Sequence, residues 1–127
     1  MAGDMKILLC EDNDDIRKML AMRLEVVGYT VLQARDGEEG LETIKKQQPE
    51  LVIMDLMMPK MTGFEVCRMV KFDDKYKDIP IIVLSALDQQ RDREKALEAG
   101  ADAYFIKPFD LELLLNKVSS LIAENKN

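Results

Sequence analysis

Five side chains stand out for what they could do together: the carboxylates of Glu11, Asp12 and Asp55, the hydroxyl of Ser85 and the ammonium of Lys107. Three carboxylates on one site can hold a hard divalent cation through oxygen, and a lysine and a hydroxyl facing them suit a phosphoryl group. A carboxylate is also a nucleophile toward a phosphorylated donor, giving an aspartyl phosphate. That attack is anion on anion, so a cation must neutralise it. The set reads as phosphate on an aspartate. Asp55 is the nucleophile, Lys107 pairs with the phosphoryl oxygens as a mobile point charge, and Ser85 donates a hydrogen bond to one of them.

Each of these groups follows an apolar, largely β-branched run, at residues 7–10, 51–54, 81–84 and 103–106. Short apolar runs separated by helix-period segments read as buried strands of a parallel sheet. In such sheets the ligand sits outside the carboxyl ends of the strands, where all five groups converge. The first helix is expected to bury Ile16, Met19, Leu20, Leu24 and Val27, and residues 29–34 to form the second strand. Asp36 caps a helix that buries Leu41 and Ile44, and Thr62 caps one carrying Phe64, Val66, Cys67 and Val70. A polar stretch at residues 73–78 leads to the fourth strand. The helix at residues 88–99 has only Ala96, Leu97 and Ala99 as apolar contacts, which makes it the expected mobile element. The last helix starts at Asp110, with Leu111, Leu114, Leu115, Val118, Leu121 and Ile122 on one face, and residues 124–127 read as a frayed tail. The pattern is an α/β three-layer sandwich of five strands and five helices with right-handed crossovers.

With 127 residues and 47% hydrophobic content, residues 1–127 read as a single domain, its core at about residues 5–123. A net charge of −6 over a 33% charged chain disfavours direct binding to nucleic acid or anionic lipid. Residues 1–6 lack a signal-peptide pattern and no apolar run reaches membrane-spanning length, so a cytoplasmic location is expected. Cys10 and Cys67 lack metal-site spacing and read as small apolar packing residues. Met57 and Met58 are expected to lie partly exposed over the site, without direct chemistry.

The chain resembles a response-regulator receiver domain, the phosphoacceptor half of bacterial two-component signalling, in its single-domain form. The matching pieces are Glu11-Asp12, Asp55 followed by Met58-Pro59 and Gly63, Ser85-Ala86 and Lys107-Pro108-Phe109, with Asp36-Gly37-Glu38-Glu39 and Gly100-Ala101-Asp102 also in pattern. The resemblance implies a flavodoxin-like strand order of 2-1-3-4-5 and phosphoryl transfer from a histidine kinase or phosphotransfer protein. It also implies dependence on Mg2+, with Mn2+ as a substitute, held by Glu11, Asp12, Asp55 and the backbone carbonyl of Met57. A cis Lys107-Pro108 peptide belongs to the same pattern. In that family the hydroxyl at the position of Ser85 moves toward the phosphoryl group while the aromatic at the position of Tyr104 swings between exposed and buried. A downstream effector would then dock on the face of the fourth helix, fifth strand and fifth helix. Such a domain is a signalling phosphoprotein that catalyses only its own phosphorylation and dephosphorylation, not a turnover enzyme, and works as a monomer or weak dimer.

Asp14 and Asp15 are read as acidic residues favoured by a helix dipole. Asp55 with Lys107 could stand alone as a structural ion pair, but two carboxylates at Glu11 and Asp12 would repel each other there without a cation. A phosphatase of the haloacid-dehalogenase type wants a second aspartate two residues after the first, and Met57 occupies that position. A pseudo-receiver that acts only as a protein-binding scaffold is the alternative reading. Such chains usually lack one of the acidic residues, the acceptor or the lysine, and all are present here. The chain reads either as a stand-alone regulator or as one domain of a longer protein.

Overall fold

The apolar runs form strands where expected. In the computed structural model, which describes residues 5–125, the order is β1 (Lys6–Cys10), α1 (Asp14–Val27), β2 (Thr30–Ala34), α2 (Gly37–Gln47), β3 (Leu51–Asp55), α3 (Gly63–Lys71), β4 (Ile81–Ser85), α4 (Gln90–Glu98), β5 (Ala103–Ile106) and α5 (Leu111–Asn125). Residues 1–4 and 126–127 lie outside the described residues, and with them most of the stretch searched for a signal peptide and half of the expected tail. Glu124 and Asn125, the other half of that tail, belong to α5.

The five strands pair in parallel in the order β2-β1-β3-β4-β5, the flavodoxin-like order that the resemblance implies. Because side chains alternate across a strand, the sheet has two differently packed faces. Leu8, Cys10, Val52, Met54, Ile81 and Val83 pack with Ile44, Val66, Cys67, Val70 and Ala96 of α2, α3 and α4. Ile7, Leu9, Leu51, Ile53, Ile82 and Leu84 pack with Leu20 and Leu24 of α1 and Leu114 and Val118 of α5. Between their ends, where Lys6, Asp55 and Ser85 stand, β1, β3 and β4 are therefore apolar, as strands covered on both sides must be.

Register places the chemistry. Cys10 stands opposite Met54, so Glu11, one residue on, is level with Asp55. Asp55 stands opposite Leu84, and Ser85 opposite Ile106. Glu11 and Asp55 are thus level, Ser85 is one residue further along and Lys107 one beyond that, so the four groups leave neighbouring strands within two residues of each other.

Several local expectations are corrected. α1 buries Arg17, Leu20, Ala21 and Leu24, whereas Met19 and Val27 are exposed. Met19 lies one residue, about 100° of helical turn, away from the Leu20 direction. It lines a groove with Ile16, Pro108, Phe109 and Leu111. Val27 is the last helical residue, and β2 starts at Thr30 rather than Tyr29. The polar connection before β4 is not wholly solvated, since Tyr76 is buried there and its hydroxyl lies 3.5 Å from the Lys45 carbonyl. α4 is shorter than expected and has no side-chain cap at Gln89. Ala96 is its one buried residue, with Ala99 buried just beyond it and Leu97 exposed, so it is held lightly. Among the described residues no helix is long and apolar enough to cross a membrane.

Candidate functional site

The carboxyl ends of β1, β3, β4 and β5 form a small polar site above an apolar sheet. Glu11 is only 2% exposed, and its Oε2 accepts a hydrogen bond from the Asn13 amide at 3.1 Å. Asn13 in turn caps α1, accepting from the Ile16 amide at 2.9 Å, so the turn after β1 is held at both ends. Asp12 faces solvent. Asp55 is 7% exposed, and its Oδ1 accepts from the Met57 amide at 3.0 Å. The loop after Asp55 returns to α3 through a close approach at Gly63, where a Cβ would lie 2.5 Å from the Asp55 carbonyl oxygen and 2.8 Å from the Leu56 Cα. Only glycine lets the start of α3 sit against the end of the acceptor strand.

Lys107 joins the two buried acids. Its Nζ lies 2.6 Å from Glu11 Oε1 and 2.8 Å from Asp55 Oδ2. Its own amide donates to the Ser85 carbonyl at 2.8 Å, and the Lys107-Pro108 peptide is cis. Ser85 is fully buried, and its Oγ accepts from the Leu87 amide at 3.1 Å. Tyr104 is buried, with its hydroxyl donating to the Leu87 carbonyl at 2.8 Å. The ring therefore stands at the inward end of the movement that the resemblance implies.

The electrostatics follow from this enclosure. Burial raises the Glu11 carboxyl above its ordinary value, and the nearby Asp55 charge adds to that, while hydrogen bonds from Lys107 and Asn13 pull the other way. Burial pulls the Lys107 ammonium down, but its hydrogen bonds and charge attraction to Asp55 and Glu11 outweigh that and leave it raised. Burial likewise raises the Tyr104 phenol. One oxygen from each of Glu11, Asp12 and Asp55 lies within 4.8 Å of the others. One ammonium pairs with two of the three carboxyl groups, and the donors gathered here are hard carboxylate oxygens, as Mg2+ or Mn2+ prefers.

Glu11, Asp12, Asp55, Ser85 and Lys107, the five polar groups singled out for chemistry, are all found at this one end of the sheet. The two methionines separate: Met57 is exposed beside the site, whereas Met58 is buried in the core under α3, because successive residues of the loop turn to opposite sides. The sequence reading missed Arg17, which is 3% exposed at the back of the β1 turn. Its signal was a charged residue three positions before Leu20, on the stripe of α1 that packs on the sheet.

Comparison with known proteins agrees with this geometry. The family model for the response regulator receiver domain matches residues 7–119. The chain is 40% identical over 117 residues to the DNA-binding dual master transcriptional regulator RpaA of Synechocystis sp., covering 92% of this chain and 48% of that protein. It spans about half the length of the first curated relatives that it matches. Among solved structures, the Francisella response regulator 1452 receiver domain superposes with a TM-score of 0.88 at 28% identity, covering 95% of this chain and 98% of that one. The signal receiver domain of a signal transduction histidine kinase from Syntrophus aciditrophicus gives 0.88 at 33% identity, covering 94% and 91%.

Proposed function

The chain belongs to the response-regulator receiver family of two-component systems, and from that membership and the geometry of the site we propose that Asp55 accepts a phosphoryl group from a histidine kinase or phosphotransfer protein. The observation that carries this reading is the pairing of Asp55 with Lys107 at 2.8 Å inside a cluster of two further carboxylates. In the transfer an Asp55 carboxylate oxygen bonds to phosphorus as the bond from phosphorus to the donor histidine nitrogen breaks, and the imidazole leaves with that electron pair. Glu11, Asp12, Asp55 and the Met57 carbonyl would hold Mg2+, or Mn2+ in its place, which when bound supplies the neutralising charge for that approach.

The protein's own groups do the rest. The enclosed walls of the site fix the Asp55 carboxylate through the Met57 amide and Lys107. Lys107 follows the charge onto the phosphoryl oxygens, and the Ser85 hydroxyl donates to one of them. Ser85 and Tyr104 both bond to Leu87, one through its amide and one through its carbonyl, so a shift of Ser85 is felt directly by the segment that leads into α4. The lightly packed α4, with β5 and α5, is then the switching surface presented to a downstream effector. Given the charge of −6, that effector contact is with protein rather than nucleic acid. The domain acts as a phosphoprotein that promotes only its own phosphorylation and dephosphorylation. It works in the cytoplasm, where the kinase draws on ATP.

The test is incubation of the protein with acetyl phosphate or phosphoramidate and Mg2+, followed by intact mass. A single phosphoryl adduct that chelation of Mg2+ prevents is expected. No adduct on the folded protein would sink the acceptor reading and leave a scaffold.

A further inference from the structure

Arg17 is an anomaly of α1. A guanidinium is 3% exposed on the stripe that otherwise carries Leu20, Ala21 and Leu24, where an apolar residue would pack at no desolvation cost. Its donors are spread over three segments. Nη1 donates to the Glu11 backbone carbonyl at 2.9 Å, Nε to Gln33 Oε1 on β2 at 3.1 Å, and Nη2 to Asp14 Oδ1 at 2.5 Å. Glu11 is thereby held through both of its peptide groups, because its amide also donates to the Ala34 carbonyl at 3.0 Å.

We propose that Arg17 is a positioning residue for the cation-binding carboxylates: through the Glu11 carbonyl it sets the direction in which the chain delivers Asp12 to the site. The argument rests on the reading of Glu11, Asp12 and Asp55 as metal ligands. The Glu11 carbonyl and the Asp12 amide share one rigid peptide plane, so fixing the first fixes where the Asp12 Cα leaves β1. Asp12 needs that help more than its neighbours. Glu11 and Asp55 are buried and bonded to Lys107, whereas Asp12 is exposed and its carboxylate has no hydrogen-bond partner among the described residues. Its placement is therefore decided by backbone alone. The charge of Arg17 is not the active property, since Asp14 pairs with it on the solvent side. What matters is the planar fork that reaches a carbonyl, an amide oxygen and a carboxylate at once, which an ammonium cannot reproduce.

The experiment measures Mg2+ affinity by calorimetry on the whole chain, together with amide exchange of Asp12 and Asn13 in chelator. Loss of an outer partner of a metal ligand typically weakens binding by 10- to 100-fold. Arg17→Gln is expected to weaken Mg2+ binding about tenfold and to speed exchange at Asp12 and Asn13, with Arg17→Lys in between. Gln33→Leu, which removes one orienting acceptor, should weaken it less, and Asp14→Ala should leave it within about twofold of wild type. Leu24→Ala provides the structural control, because it loosens the same helix without touching the β1 turn. An Mg2+ affinity unchanged in folded Arg17→Gln, or lowered equally by Leu24→Ala, overturns the inference while wild-type Mg2+ binding upholds the metal site. If Arg17→Gln does not fold, Arg17→Lys and Gln33→Leu decide by the same criterion. Absence of Mg2+ binding in the wild type overturns the metal site and this inference together.

Discussion

Two lysines, one at each end of the sheet, show how similar contacts serve different ends. At the amino ends of the strands Lys71 Nζ reaches the Ile79 carbonyl at 2.7 Å, the Lys77 carbonyl at 3.1 Å and Asp102 Oδ2 at 3.1 Å. Its three protons meet three acceptors, and its single charge meets one carboxylate. Asp102 Oδ2 also accepts from the Ile81 amide at 2.8 Å, so the knot ties the end of α3, the loop before β4 and the start of β5 into one arrangement. At the carboxyl ends Lys107 meets Glu11 and Asp55, with Asp12 beside them, and its one charge leaves negative charge over. A balanced polar cluster has nothing further to recruit and stabilises the fold. An unbalanced one, enclosed by apolar strands, invites a cation and tolerates exchange of partners.

The sharpest way to break this contrast is at the two aspartates. Asp55→Asn is expected to abolish the phosphoryl adduct while the protein unfolds near its wild-type midpoint, because the amide keeps the shape but lacks the nucleophilic charge. Asp102→Asn should keep the adduct and lower the midpoint. Intact mass and urea unfolding on the pair report both halves, and a full adduct on Asp55→Asn would move the acceptor elsewhere.

Next in size is the knot itself. Gly100 sits at φ 109, and a Cβ there would meet Lys71 Cβ at 2.9 Å. Gly100→Ala therefore forces a left-handed backbone on alanine and displaces Lys71, and a loss of about 2–3 kcal/mol in urea unfolding is expected, with Mg2+ affinity unchanged. A substitution with no effect on stability would mean that the amino-end cluster is ornamental.

Lys107→Ala acts in the opposite sense. Removing an ammonium that occupies Glu11 Oε1 and Asp55 Oδ2 frees both for a divalent ion, so Mg2+ should bind about threefold to tenfold more tightly, roughly 0.7–1.4 kcal/mol. Phosphorylation should persist in part, but hydrogen exchange in α4 and β5 should no longer respond to a phosphoryl mimic such as beryllofluoride. Weaker Mg2+ binding in this variant would show that Lys107 organises the acids rather than competing for them.

The smallest effect is a pH signature. Glu11 is raised in the folded protein, chiefly by burial, so above the unfolded carboxylate value the folded state holds its proton more tightly than the unfolded state does. Its contribution to stability is full below that value and is lost as pH rises through the folded one. Metal-free protein should thus gain stability on acidification from neutral pH toward about 4.5 relative to Glu11→Gln. Unfolding midpoints of the two proteins in chelator, compared across that range, are the measurement. Parallel curves would remove Glu11 as the source of the unbalanced charge.

Much of this was legible in the chain because it depends on local order. An apolar run ending in a charged residue predicts both a buried strand and a polar group at its end, which is why Glu11, Asp12, Asp55, Ser85 and Lys107 could be named as one site. Thr62 was identified as a cap from its place before a helical pattern, and the structure completes it as a capping box with Glu65. The sparse packing of α4 was visible as a lack of apolar residues. Tertiary structure decided what depends on partners distant in sequence. Lys107 and Glu11 meet across 96 residues, and no spacing rule states that one ammonium would bridge both buried acids. Lys71 was not singled out and Asp102 stood only within the Gly100-Ala101-Asp102 match, and their pairing follows from the α3 end and the β5 start being brought together. Arg17 was missed because two of its acceptors, the Glu11 backbone carbonyl and the Gln33 amide oxygen on the neighbouring strand, carry no sequence signal. Sequence pattern specifies which groups reach an end of the sheet, since periodicity is local. Which of them are paired, balanced or left wanting a cation depends on distances of a few ångströms that only the packed chain sets.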